Sequence, residues 1–233
     1  MAAFRMNNKL LFLFSLIGLF GFSWPSSLQK MAQGFSSSQW IMQEISLISA
    51  HASVDRNILR LSLLAYQKAL TKGVTQKPFL TVIDYSKPST EKRLWTFDLR
   101  NGKTLFNTWV AHGKNSGGLR ANTFSNAPGS RQSSIGVFVT DQTYFGKNGY
   151  SLKLRGLEKG INDNALSRAI VVHGARYVNP DNIRKYGQIG RSWGCPAVGA
   201  KLAKPLIDTI KNKTLVFAYY PNRKWLSLSQ FLA

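Results

Sequence analysis

The chain has 233 residues, 44% hydrophobic and 18% charged, with 6 Trp, 8 Tyr and 14 Phe. That balance excludes a disordered or collagen-like protein, and it allows one domain with a sizeable core and a short appendage. Against 10 acidic residues stand 31 Lys and Arg, a formal charge of +21. Such an excess fits either a solvated basic surface or a polyanionic neighbour: nucleic acid, an anionic membrane face or an anionic wall polymer.

At the N-terminus, Arg5 and Lys9 precede an apolar stretch running from Leu10 to Phe22. About thirteen such residues are too few for a relaxed membrane span of roughly twenty. They fit the core of a secretory signal over residues 1–23, with small residues at Gly21 and Ser23 near a cleavage point; an uncleaved anchor is the alternative. The reading predicts export, to the periplasm or cell envelope. Residues 24–77 read as a linker and N-terminal helical segment: Trp24 to Ser38 is rich in Ser, Gln and Gly, and Gln39 to Ser49 suits a short helix. From Val54, apolar positions Ile58, Leu61, Leu64, Ala65 and Leu70 recur at helical spacing, with Asp55 placed to cap the start and Gly73 to close the end.

Residues 78–233 have a different character. Phe79 to Tyr85, Leu94 to Leu99 and Thr104 to Ala111 are runs of β-branched and aromatic residues, and Asn101-Gly102 marks a hairpin. Further strands are expected at Ile135 to Thr140, Tyr150 to Leu154, Ala169 to Val172 and Leu215 to Tyr220. Between them, Asn115 to Ser134 is a Gly-, Ser- and Asn-rich loop long enough to carry function. A helix is expected over Val198 to Lys211, bent or split by Pro205. The fold class is mainly β, a β-rich α+β domain with a few peripheral helices. The basic residues are scattered, with no run of five, no zinc-finger spacing and no RNA-binding signature, so no nucleic acid partner is expected.

The chain has 1 Cys, so it forms no internal disulfide. A lone thiol is either an inert small core residue or a reactive one. Its context is Arg191-Ser192-Trp193-Gly194-Cys195-Pro196. Gly194 leaves room for a substrate carbonyl, Pro196 fixes the outgoing chain, and a helix starting soon afterwards would lower the thiol pKa and offer amides to an oxyanion. A thiol nucleophile needs an imidazole within reach. His51 precedes the β domain; His112 and His173 each end an apolar run and precede a glycine. On chemistry alone the base role is divided between these two, with His173 favoured.

Ile170-Val171-Val172-His173-Gly174 followed by Ser192-Trp193-Gly194-Cys195 resembles the signature of the L,D-transpeptidase catalytic domain. Ser134-Ile135-Gly136-Val137-Phe138 resembles that family's Gly-x-Phe strand beside the active site. The similarity runs from about Phe79 to Pro221, and three motifs in order are specific where one would be weak. The resemblance implies a β-sandwich or barrel catalytic domain acting on peptidoglycan stem peptides without metal or other cofactor. Cys195 would be the nucleophile and His173 the base, with a backbone carbonyl orienting the imidazole. Gly194 and Cys195 amides would form the oxyanion hole, with Ser192 and Gly174 in support. Gly136, Phe138, Arg191, Trp193 and His112 are the candidate substrate contacts. An anionic cell wall would suit the basic surface.

Two departures stand out. Trp193 occupies a position where the commoner pattern has His, and Pro196-Ala197 replaces an aliphatic residue and the Arg or Asn after it. Substrate contacts made by those side chains do not transfer, and Arg191 is the candidate replacement cation. Three other readings stay open: an L,D-carboxypeptidase with water as acceptor, a cysteine peptidase or amidase on another scaffold, and a non-catalytic basic wall-binding protein.

Overall fold

A computed structural model describes residues 36–232; the expected signal segment and most of the expected linker lie outside them. Among the described residues no helix is long and apolar enough to cross a membrane. Helix α1 (Ser37–Ser49) opens on a capping box in which the Ser36 hydroxyl accepts the Gln39 amide and the Gln39 side chain accepts the Ser36 amide. Ser37 and Ser38, assigned to the linker from sequence, are therefore already helical. In α2 (Arg56–Thr71) the Asp55 carboxylate accepts the amides of Asn57 and Ile58, each at 2.9 Å. Gly73 follows in the left-handed region at φ +67°, where a residue without Cβ is favoured. Trp40, Ile45, Leu59, Leu63 and Tyr66 from these helices share one buried core with Leu80, Val82, Phe217 and Trp225.

Eight strands follow: β1 (Phe79–Asp84), β2 (Leu94–Asp98), β3 (Lys103–Thr108), β4 (Gly136–Gly146), β5 (Gly149–Gly156), β6 (Val171–Ala175), β7 (Ala197–Gly199) and β8 (Leu215–Tyr219). They form one sheet in the order β3-β2-β1-β8-β4-β5-β6-β7. The β1–β8 and β6–β7 pairs are parallel and the others antiparallel. Beyond β3 the chain crosses to the opposite edge, where the Ala111 amide donates to the Ala197 carbonyl at 2.8 Å. That bridge nearly closes the sheet into a barrel and pairs backbone on the edge of β7 that would otherwise be free.

Three short helices complete the fold: α3 (Pro180–Tyr186), α4 (Ala200–Ile210) and α5 (Arg223–Leu228). Helix α4 packs so closely on β6 that a Cβ at Gly174 would lie 3.0 Å from Ala203 Cβ. Of the two outcomes expected at Pro205, bending or splitting, splitting does not occur: α4 runs through it from Ala200 to Ile210. It lies on the exposed side, so water can reach the carbonyl its missing N–H leaves free.

Strand β6 also differs from expectation, beginning at Val171 rather than Ala169. Ala169 adopts φ +53°, which ends the preceding turn and delays the strand. His173 thus lies within the strand, paired with Ser151 on one side and Ala197 on the other, rather than at its end.

Gly136 and Phe138 serve the core rather than a substrate cleft. Gly136 has φ +108°, and a Cβ there would run into the Glu158 carboxylate and the Asn162 amide. Glu158 is buried; it accepts the Val137 amide at 2.7 Å, the Trp225 indole N–H at 3.0 Å and the Ser229 hydroxyl. Phe138 is 2% exposed within the main core. The Gly-x-Phe motif here makes room for a buried carboxylate that ties α5 to the sheet.

Candidate active site

The parallel register sets His173 opposite Ala197, two residues after Cys195. Cys195 is half-buried, and its Sγ lies 3.5 Å from the carbonyl of Ala169, two residues before β6. The Val171 amide at the start of β6 also bears on the thiol, and His173 follows two residues along that strand, a step of about 7 Å in backbone. His173 is 4% exposed, and its Nδ1 lies 2.9 Å from the Gly174 carbonyl. A carbonyl only accepts, so Nδ1 carries the proton and Nε2 keeps its lone pair. That tautomer is the one a general base requires.

The loop before Cys195 is held at several points. The Ser192 amide donates to the His112 carbonyl at 2.9 Å, and the Lys114 amide donates to the Ser192 carbonyl at 2.8 Å. The Ser192 hydroxyl donates to the Cys195 carbonyl at 2.6 Å and accepts the Gly194 amide at 3.1 Å. Gly194 has φ +125°, and its carbonyl accepts the Ser133 hydroxyl at 3.0 Å. The Gly194 amide is thus spent on the Ser192 hydroxyl, which corrects its expected oxyanion role. The Cys195 amide makes no hydrogen bond among the described residues.

The expected proximity of Cys195 to a helix start is also corrected. Pro196 and β7 intervene, and α4 begins only at Ala200. Burial raises the thiol pKa, opposed by the Val171 amide and the Arg168 charge. Burial lowers the His173 pKa, opposed by the Gly174 carbonyl. Both shifts favour a neutral thiol and a neutral imidazole at rest.

His112 stands behind this loop. It is fully buried, and its Nδ1 lies 2.8 Å from Nη2 of Arg93. Guanidinium only donates, so Nδ1 accepts and the ring is neutral. Burial, and then the Arg93 charge, press its pKa down to about 4. Among the described residues its Nε2 makes no hydrogen bond of normal geometry, although the Gly117 and Gly118 backbone lies near enough to act on the ring. The imidazole supports the loop through Arg93 and its own backbone.

Residues 50–219 match the L,D-transpeptidase catalytic domain. The chain belongs to that family. No curated protein matches it in sequence. Among solved structures, similarity extends to an L,D-transpeptidase from Mycobacterium smegmatis, at 13% identity and TM-score 0.38, covering 61% of this chain and 59% of that one. L,D-transpeptidase 3 from Mycobacterium tuberculosis has 10% identity and TM-score 0.40, covering 61% of each chain. The L,D-transpeptidase from Xylanimonas cellulosilytica has 16% identity and TM-score 0.35, covering 69% of this chain and 80% of that one. The chain thus spans about 60% of the length of the mycobacterial structures.

Within this L,D-transpeptidase domain, the remaining candidate residues take distinct places. Trp193 is 70% exposed, and the Arg131 guanidinium lies 4.6 Å from its ring centroid. Arg191 is exposed and donates to the Gly117 carbonyl at 2.9 Å and the Lys114 carbonyl at 3.3 Å, so it pins a loop. Sequence reasoning missed Arg168, Ser133 and Tyr177. Arg168 and Tyr177 interact electrostatically with Cys195, and Ser133 bridges Gly194 to the amide of Gly113. The adjacency of Arg168-Ala169 to the Ile170–Gly174 motif was the available signal.

Proposed function

We propose that this protein is a cysteine acyl transferase acting on peptidoglycan stem peptides. Cys195 Sγ attacks the carbonyl before a terminal D-alanine while its proton passes to His173 Nε2. The C–N bond breaks, the imidazolium returns that proton to the leaving amine, and a thioester remains on Cys195. An amine of a neighbouring stem then attacks the thioester, giving its proton to His173 and restoring the thiol. His173 does the same base work in both halves. The Cys195 amide is the donor available to the developing oxyanion. Trp193, two residues before Cys195 and stacked with Arg131, offers an exposed aromatic face for the stem peptide.

The observation that carries this reading is the Nδ1 contact of His173 with Gly174, which leaves Nε2 basic on strand β6, whose parallel partner β7 begins two residues after Cys195. Export to the cell envelope, where such stems occur, is part of the same proposal, and the charge of +21 suits an anionic wall. The test is to incubate purified protein with a tetrapeptide stem, with and without an added amine stem, and analyse the products by mass spectrometry. Release of D-alanine with a cross-linked product supports transpeptidation. Release yielding only a shortened tripeptide assigns water as acceptor, and no release from folded protein refutes the proposal.

A further inference from the structure

Arg168 closes the turn that runs from Glu158 into β6, and its guanidinium reaches back across the site. Nη1 donates to the Ser125 carbonyl and to the Ser134 hydroxyl at 2.6 Å. Nη2 donates to the Ser130 hydroxyl at 2.9 Å and to the Gln132 carbonyl at 2.8 Å. All four partners belong to the long loop before β4, and all are neutral oxygens, so no acid cancels the positive charge.

That loop is the back wall of the nucleophile. Ser133 donates to the Gly194 carbonyl, and a Cβ on Gly194 would stand 2.8 Å from the Gln132 carbonyl. The next residue after Arg168 is Ala169, whose left-handed φ of +53° accompanies the contact of its carbonyl with Cys195 Sγ. One residue thus ties down the loop behind Gly194 and begins the segment in front of the sulfur.

We infer that Arg168 is a positioning residue for Cys195: it clamps the Ser125–Ser134 loop against the nucleophile and sets an uncompensated positive charge beside the thiolate formed during acyl transfer. The inference rests on the reading of Cys195 as the nucleophile. The titratable groups that bear on the sulfur are Arg168, Tyr177 beyond β6 and Tyr85 after β1, with His173 farther along β6. Burial holds both tyrosines up at about 12, so they stay neutral. His173 is held neutral at rest. Arg168 is the permanent cation of the group.

The test is the pH profile of Cys195 alkylation by iodoacetamide on the full chain, in the wild type, Arg168→Gln and Arg168→Lys, with circular dichroism confirming the fold. The expected result for Arg168→Gln is an apparent thiol pKa raised by about one unit, and so about tenfold slower alkylation on the acid side. Arg168→Lys, which keeps the charge, should stay within about half a unit of the wild type while losing transfer rate through the slackened loop. A Gln profile that superimposes on the wild type, or a Lys profile displaced as far as the Gln one, overturns the inference. If the Gln variant does not fold, a Lys profile more than one unit above the wild type has the same consequence. Alkylation requires no peptide substrate, so failure of the acyl-transfer reading would appear separately, as stem processing by Cys195→Ala.

Discussion

The Ser192 hydroxyl donates to the Cys195 carbonyl at 2.6 Å while accepting the Gly194 amide at 3.1 Å. One small side chain thereby fixes the Trp193–Gly194 and Cys195–Pro196 peptide units, and Ser133 holds the Gly194 carbonyl between them. Ser192 also occupies the Gly194 amide, leaving the Cys195 amide as the oxyanion donor of the proposed mechanism. The family resemblance pairs the two amides; the geometry separates them.

Ser192→Ala removes both bonds at once. The expected outcome is a fall in kcat of about 10- to 100-fold, equivalent to about 1.4–2.7 kcal/mol of transition-state stabilisation, with KM little changed and the melting temperature lowered by a few degrees. Steady-state kinetics on the folded variant check it. A KM effect with unaltered kcat would place Ser192 in substrate binding instead.

His173→Ala should cost on the order of 100-fold or more in acylation, whereas His112→Ala should act through folding, lowering the melting temperature. The pH dependence follows from direction. The base must be neutral, and burial holds the His173 pKa below its ordinary value, so activity should persist below pH 6.5 before falling. A kcat/KM profile across acid pH is the check, and an acid limb above the usual histidine value contradicts the neutral-pair site.

His112 links stability to pH. Its folded pKa is pushed down to about 4, against about 6.5 unfolded, so between those values the unfolded chain binds more protons. Stability is fully present above pH 6.5 and declines as pH falls towards 4, by an amount on the order of 3 kcal/mol. Urea unfolding at pH 7 and pH 4.5 should show that decline, and His112→Gln should remove most of the slope while being less stable at pH 7.

Gly136→Ala puts a methyl group against the Glu158 carboxylate and forces a side chain to adopt φ +108°. A loss of several kcal/mol is expected, or failure to fold, from strain and a displaced buried carboxylate. Thermal unfolding checks it, and a variant with unchanged melting temperature would show that the Glu158 node is adaptable.

Much of the fold was legible in the sequence because local chemistry set it. Asp55 and Gly73 bounded α2, and the runs at Leu80, Trp95 and Val216 lie in strands where period and β-branching placed them. What was not legible depends on long-range pairing. Strand β7 has only three residues and exists because Ala197 meets His173 and Ala111 from two sides. Helix α3 had an overlooked signal, Asn179 capping with Pro180 at the first turn. At the site, Cys195 and His173 stood out by motif, but the burial that sets their protonation did not. Arg168 looked like one basic residue among 31 Lys and Arg, because its partners lie more than thirty residues away in the chain.

In the proposed function Cys195 carries the acyl group and His173 activates it. Intact-mass measurement of the full chain, rapidly quenched in acid after mixing with a tetrapeptide stem, tests it most directly. A single adduct equal to the stem minus D-alanine is expected on the wild type, absent from Cys195→Ala, nearly absent from Cys195→Ser and slow to form on His173→Ala. Turnover of the stem by folded Cys195→Ala, or an adduct that maps to a residue other than Cys195, would contradict it.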